Sequence, residues 1–232
     1  MCVNYITVSR QVLYDVFDTS VPSDEEWREE LYRDYLGPII VHDDGGKRAG
    51  LIASYSMVPK RHLPAGTDFS TMNARDNTIG KLKSYKPFWN AGQLCLVPML
   101  AFFEPNWEQK AHVRWKIGMA DASPFAVAGL YREWKEQDGN TSFAFTQLTI
   151  NADDHPLMQR FHRPGAEKRS LVIVPRAEYD EWLSCKDPER ARTWLQPYPA
   201  ELMRAEPAPK PKDARPKEKS GQIIQPTTRD LF

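Results

Sequence analysis

The residues with the clearest chemical potential are the first two, Met1 and Cys2. A small residue at the second position allows an aminopeptidase to remove the initiator methionine. Cys2 would then carry its thiol and a free α-amine on adjacent carbons, with ordinary pKa values of about 8.5 and about 7.7–8.0. Such an amine condenses with an aldehyde to an imine, and the thiolate can then close a five-membered thiazolidine ring. The sequence therefore predicts an aldehyde-capturing nucleophile at the head of the mature chain.

Three further polar residues could support this chemistry. Glu104 follows an apolar run, so its carboxyl is expected to be partly desolvated and suited to shuttling protons. Asn73 offers an amide that can donate and accept hydrogen bonds, for example to an amine. His162 can give or take a proton near neutral pH.

These residues lie in motifs whose order resembles the SRAP family, the SOS response-associated peptidases, whose members covalently trap abasic sites in single-stranded DNA. The resemblance covers about residues 1–204. The motifs that carry it are, in chain order, Met1-Cys2, Tyr55-Ser56-Met57-Val58-Pro59, Asn73-Ala74-Arg75, Cys95-Leu96-Val97-Pro98-Met99-Leu100-Ala101-Phe102-Phe103-Glu104, His162-Arg163-Pro164 and Tyr198-Pro199-Ala200-Glu201-Leu202-Met203.

The resemblance implies a reaction and a role for each residue. Met1 is removed by self-processing, and Cys2 forms a thiazolidine crosslink with the aldehyde of an abasic site, with some lyase activity from the imine. Asn73, Glu104 and His162 hold and protonate the sugar, and neither a metal nor an organic cofactor is needed. Contacts to DNA phosphates are expected from three cations: Arg75, Arg163 and Lys86.

The chain departs from the family pattern at four places. Asn4 stands where members carry an Arg used on the DNA backbone, and Asn77 replaces a Glu. Pro105 replaces the Trp that follows the catalytic Glu, and residues 164–170 contain an insertion.

Two other functions therefore stay open from the sequence. One is a thiol peptidase that uses Cys2 with His162 to cleave proteins in trans. The other is a non-catalytic adaptor that binds single-stranded DNA, in which the site has decayed.

The elements that must position these residues are expected to form an α+β fold, a mostly antiparallel barrel-like sheet flanked by helices, as the resemblance implies. Local patterns predict a helix after Ser9, a second over residues 27–35 with a capping box that begins at the N-cap Ser23, and a hairpin turn at Asp138-Gly139. They predict a buried strand over residues 94–103 with a break or bulge at Pro98. The other predicted elements are strands at 39–41, 49–58, 124–134, 141–150 and 171–174, a short helix near Phe88 and Trp89, and helices at 177–184 and 189–195.

Composition suggests three parts of the chain. Residues 1–204 are expected to form the catalytic domain, and residues 205–221, rich in Pro and Lys, a disordered linker. Residues 222–232 form a C-terminal peptide that ends in Asp230, Leu231 and Phe232. This ending resembles the Gln-Leu-Asp-Leu-Phe type of peptide that docks on the bacterial sliding clamp, which makes the clamp a candidate partner.

Charge and cysteine content limit the remaining possibilities. Lys plus Arg equals Asp plus Glu at 31 each, so a nucleic-acid partner requires a local basic patch. Three widely spaced cysteines argue against a disulfide framework, and no pair has metal-ligand spacing. Apolar runs are far shorter than the roughly 18 residues of a membrane helix, and the start lacks a secretory signal, so we expect a cytoplasmic protein without a membrane partner.

Overall fold

A computed structural model describes residues 3–22, 24–109 and 112–210. Cys2, most of the predicted linker and the whole predicted clamp peptide, including Asp230, Leu231 and Phe232, lie outside these residues. Within them, no helix has the length and apolar character needed to cross a membrane.

The described residues form twelve strands and four short α-helices. The strands are β1 (Tyr5–Thr7), β2 (Glu30–Leu31), β3 (Leu36–His42), β4 (Arg48–Tyr55), β5 (Asn73–Arg75), β6 (Leu94–Asn106), β7 (Val113–Met119), β8 (Phe125–Lys135), β9 (Thr141–Asn151), β10 (Arg169–Leu171), β11 (Ile173–Val174) and β12 (Met203–Pro207). The helices are α1 (Arg10–Phe17), α2 (Lys86–Asn90), α3 (Tyr179–Ser184) and α4 (Pro188–Ala191).

Five of these strands close into a barrel. Pairing runs from β8 to β9, β4, β3 and β6, and β6 pairs back onto β8. The described pairs are antiparallel except for those of β9 with β4 and with β5, which are parallel. The predicted fold class, a mostly antiparallel barrel-like sheet with flanking helices, is therefore confirmed.

Alternate residues of β6 face two separate apolar cores. Cys95 and Val97 belong to one buried cluster, and Leu94 and Leu96 belong to the other. Because successive side chains of a strand point to opposite faces, the first cluster fills the barrel and the second separates its wall from the helices. The helical residues of that second cluster include Leu13, Phe17, Trp89, Trp182 and Leu183.

The strand β6 is long because it pairs with two other strands in succession. Its first part pairs with β8 up to Met99, and its last part, from Phe102, pairs with β7. Between them, its register with β1 shifts, with Ile6 opposite Ala101 and Thr7 opposite Met99, which leaves Leu100 as an extra residue. The bulge predicted at Pro98 therefore lies at Leu100 instead, since Pro98 itself pairs in register with Ala126.

The helix predicted over residues 27–35 is wrong. This segment contains the short strand β2, and β3 begins directly after it and includes Pro38. Trp27 donates its indole N–H to the carbonyl of Val8 at 2.9 Å, and Leu31 pairs with Tyr5. These long-range contacts outweigh the helical spacing of the apolar residues. The predicted N-cap of that helix, Ser23, lies outside the described residues.

Most of the other local predictions are confirmed. The side chain of Ser9 accepts from the backbone N–H of Val12 at the start of α1, and Gly139 turns the β8–β9 hairpin with φ of 85°. Residues 205–207, by contrast, were assigned to the linker by composition and belong instead to β12, which pairs with β7 as far as Pro207. A strand held by backbone hydrogen bonds needs few apolar residues, so the polar composition after residue 204 did not indicate that β12 continues to Pro207.

The barrel wall at Gly129 has no room for a side chain. A Cβ there would lie 2.8 Å from the Cys95 sulfur and 2.8 Å from the Thr146 carbonyl oxygen. We expect Gly129→Ala to lower the free energy of unfolding by about 1–3 kcal/mol through overpacking. Gly45→Ala is the control, because its Cβ would approach nothing nearer than 3.3 Å, in an exposed turn. Urea denaturation of both variants measures this, and equal stability would contradict the close packing.

Candidate active site

Glu104 and His162 form a buried pair at the end of β6. The Nδ1 atom of His162 lies 3.1 Å from Oε2 of Glu104, and the two side chains are 7% and 3% exposed. Glu104 is held in the sheet opposite Trp115 of β7. Sequence reasoning chose both residues separately, and the structure brings them into contact.

The second ring nitrogen of His162 settles which proton arrangements are possible. Nε2 lies 2.9 Å from the carbonyl oxygen of Arg169, which can only accept, so Nε2 must carry a proton. Nδ1 then faces the Glu104 carboxyl, so a proton carried by either group lies within reach of the other. The pair can therefore pass one proton between its two members.

The backbone of His162 is held in an uncommon conformation. Its φ is 66°, in the left-handed region, and its N–H donates to the carbonyl of Pro105 at 3.0 Å. The preceding residue, Phe161, bridges to Asn106, and the Asn106 amide donates to the carbonyl of Arg160. The end of β6 thus fixes the loop that carries His162.

Asn73 begins β5, where it pairs with Gln147 of β9. Its backbone carbonyl accepts from the hydroxyl of Tyr85, whose pKa burial raises to about 12. Gln147 accepts from the hydroxyl of Tyr55 at 2.9 Å, and the Tyr55 ring meets the ring of Tyr5 edge-on at 5.3 Å. Asn73 is thereby linked through the barrel interior to β1.

The register of β1 places the start of the described chain beside the end of β6, where Glu104 lies. Tyr5 pairs with Phe102, and the N–H of Phe103 donates to the carbonyl of Asn4 at 3.2 Å. The chain thus runs beside β6 one residue from Glu104. The Asn4 side chain donates to the carboxylate of Glu30. Cys2 itself lies outside the described residues.

Arg169 is a site residue that the sequence reasoning missed. Its guanidinium is 2% exposed and donates to Asp76 at 2.8 Å, to Glu167 at 2.6 Å and to the Thr149 carbonyl. A buried arginine must be paired, and here the pairing fixes the carbonyl that holds His162. One signal was present, because Arg169 stands two residues before a continuous apolar run.

The predicted DNA-binding residues lie in three different settings. Arg75 is 43% exposed at the end of β5 and pairs with Glu167 at 3.2 Å. Arg163 is exposed next to His162, with its guanidinium 5.9 Å from the Trp107 ring centre. Lys86 is exposed at the start of α2, a helix that packs on β8. The structure thus joins Arg75 and Arg163 to the surroundings of His162 and gives no such link for Lys86.

A cleft of about 370 Å³ opens beside His162. Trp107 forms one wall, and Arg160 pairs with Glu108 at 2.9 Å in another. This hydrogen bond holds the pKa of Glu108 down to about 2. An aromatic ring with cations around it suits a nucleic-acid strand.

The two described cysteines are buried. Burial raises the pKa of the Cys95 thiol well above its usual value, and Cys185 donates to the carbonyl of Asp187. Neither is placed to act as an accessible nucleophile. Among the described residues, no group of three His, Cys, Asp or Glu side chains is placed to hold a metal ion.

Comparison with known proteins gives consistent matches. The family model of the SOS response associated peptidase (SRAP) matches residues 1–211. Two curated proteins of Bacillus subtilis, the abasic site processing proteins YoqW and YobE, are each 28% identical over 170 residues. These matches cover 72% of this chain and 71% and 73% of the two relatives. A crystal structure of a Bordetella bronchiseptica protein superposes with a TM-score of 0.79 at 28% identity, covering 89% of this chain and 99% of that one.

The hydrogen bonds of His162 predict its ring protonation. Nε2 should stay protonated wherever the protein is folded, because Arg169 offers only an acceptor. A ring ¹⁵N–¹H correlation spectrum measures this, with His162→Gln identifying the signal among the five histidines. Glu104→Gln should shift the Nδ1 signal and leave Nε2 protonated. A folded protein with a bare Nε2 at neutral pH would contradict the assignment.

Proposed function

We propose that this chain, which belongs to the SOS response associated peptidase (SRAP) family, covalently captures abasic sites in single-stranded DNA. Cys2, freed of Met1 by self-processing, is the nucleophile. Its amine condenses with the C1′ aldehyde of the ring-opened deoxyribose, and water is lost to give an imine. The thiol then adds across the C=N bond and closes a thiazolidine, with no leaving group.

The buried contact between Glu104 and His162 is the observation that carries this proposal. Opening the sugar and losing water both require a proton to be delivered to oxygen, and adding the amine releases one. A carboxyl and an imidazole in contact can pass one proton between them and so serve each step in turn. We assign Asn73 to hold the sugar oxygen or the amine through its amide.

The position of β1 supports the role of Cys2. Asn4 lies beside Phe103, and two residues span at most about 7 Å of extended chain. An N-terminal aminothiol two residues before Asn4 is therefore within reach of the end of β6. The relatives YoqW and YobE are named abasic site processing proteins, which supports the same substrate.

Arg75 and Arg163 are proposed to hold the phosphates that flank the abasic sugar. A guanidinium grips phosphate with two hydrogen bonds and positions the strand without reading its sequence. Lys86 is proposed as a weaker phosphate contact. The imine can also eliminate the 3′ phosphate, so a minor lyase activity belongs to the proposal.

A crosslinking assay tests the reaction. Mixing the protein with an abasic single-stranded oligonucleotide should give a band that survives SDS, and Cys2→Ser should give none. Glu104→Gln and His162→Gln should slow the band's formation by about 10²–10⁴-fold, the usual contribution of general acid–base catalysis. Cys185→Ser is the matched control and should react like the wild type, because that thiol is buried.

Other outcomes of this experiment would support the two alternatives. Cleavage of added proteins without a DNA band would indicate a thiol peptidase acting in trans. Binding of single-stranded DNA without a band would indicate a non-catalytic adaptor. An intact mass that retains Met1 in crosslinking-competent protein would overturn the role of the Cys2 amine.

We also propose that the C-terminal peptide recruits the protein to the bacterial sliding clamp. Leu231 and Phe232 supply two apolar anchors beside Asp230, after a Pro- and Lys-rich segment. Deleting residues 222–232 should abolish co-purification with the clamp and leave crosslinking of a free oligonucleotide unchanged. Undiminished co-purification would reject this partner.

A further inference from the structure

Glu167 bridges two arginines next to the proposed active site. Its Oε2 atom lies 3.2 Å from Arg75, and its Oε1 atom lies 2.6 Å from Arg169. Arg169 is the residue whose carbonyl holds His162. A single carboxylate thus joins an exposed candidate phosphate ligand to the buried support of the catalytic pair.

The two contacts of Glu167 are unequal. Arg169 is almost fully buried and is fixed on its other side by Asp76 and by Thr149. Arg75 is 43% exposed, so its guanidinium can turn toward solvent. A group that arrives from solvent can therefore take Arg75 away from Glu167, while Glu167 stays anchored on Arg169.

Glu167 remains charged at neutral pH in this setting. The hydrogen bond from Arg169 lowers the pKa of Glu167 below its usual value, and the Asn151 amide and the charge of Arg75 act in the same direction. Its carboxylate therefore offers Arg75 the same kind of charge-assisted contact that a DNA phosphate would offer.

We propose that Glu167 is a built-in competitor for the DNA phosphate at Arg75, and that it shortens the time that intact strands occupy the site. The proposal rests on the function proposed above. Phosphates are the same on intact and abasic DNA, so a weaker phosphate grip lowers affinity for both equally. Only the abasic strand is then retained, by its covalent bond. Intact strands dissociate before they occupy the site.

The test measures binding of an undamaged single-stranded oligonucleotide, which requires no crosslinking. Glu167→Gln should bind it about two- to fivefold more tightly, the equivalent of one exposed ion pair of roughly 0.4–1 kcal/mol. The salt dependence should also become steeper, by up to about 0.7 in the slope of log K against log salt, as one more phosphate is neutralised.

A double-mutant cycle separates competition from a general charge effect. In an Arg75→Ala background, Glu167→Gln should give no gain, because the contested cation is absent. Glu181→Gln, which removes a carboxylate from an exposed pair with Arg190, is the matched control and should leave binding unchanged. An equal gain in both backgrounds, or no gain in the wild-type background, would overturn the proposal.

Two further measurements keep the result interpretable. Thermal unfolding checks that Glu167→Gln still supports Arg169; if it does not fold, Glu167→Asp is used, whose shorter carboxylate cannot span both arginines and should give the same gain. A wild type that binds intact strands but forms no abasic crosslink defeats the proposed function alone. A wild type that crosslinks while Glu167→Gln binds no more tightly defeats only the competitor role.

Discussion

The contact between Glu104 and His162 constrains the rest of this structure. Two ionisable groups this deeply buried are tolerated only when each has a partner, and removing one partner from a buried pair costs about 3–5 kcal/mol. Three neighbouring parts of the structure supply the contacts that the pair needs. β6 carries Glu104 to the barrel end, Pro105 anchors the His162 N–H, and Arg169 accepts from Nε2. The left-handed backbone of His162, which costs about 1 kcal/mol or more, persists because these contacts determine it from three sides.

The residues that depart from the family pattern are compatible with the contacts around Glu104 and His162, although their side chains differ chemically from those of the family. Pro105 lacks an indole, yet what the site uses at that position is a backbone carbonyl, which any residue supplies. Asn77 lacks a carboxylate, but Asp76, one residue earlier, pairs with Arg169. Asn4 removes a positive charge beside β1. Its amide donates instead to Glu30, which also pairs with Arg114, so a cation remains close to that position. These exchanges favour a working site over a decayed one.

The sequence predicted the features of the fold that local physics determines. The apolar run that ends at Glu104 indicated a buried strand, and Asp138-Gly139 indicated the β8–β9 hairpin because Gly139 permits a left-handed turn. The failures have a common cause in long-range contacts. The segment around Leu31, predicted to be a helix, is a strand because β2 pairs with β1. The bulge lies at Leu100 and not at the predicted Pro98 because of the register between β1 and β6. Arg169 was missed because its importance depends on Asp76, 93 residues away in the chain.

The charge balance around the site bears on how such a protein could select its substrate. Four arginines near it each pair with a carboxylate: Arg75 with Glu167, Arg114 with Glu30, Arg160 with Glu108 and Arg169 with Asp76. Affinity for single-stranded DNA comes largely from cations that replace counterions on phosphate, so paired cations give a weak grip. A protein whose net charge is zero would then dissociate quickly from intact strands. Under the proposed chemistry this is an advantage, because the covalent bond supplies retention and needs an aldehyde that intact DNA lacks. Selectivity would then reside in the reaction, with binding serving only to align the sugar.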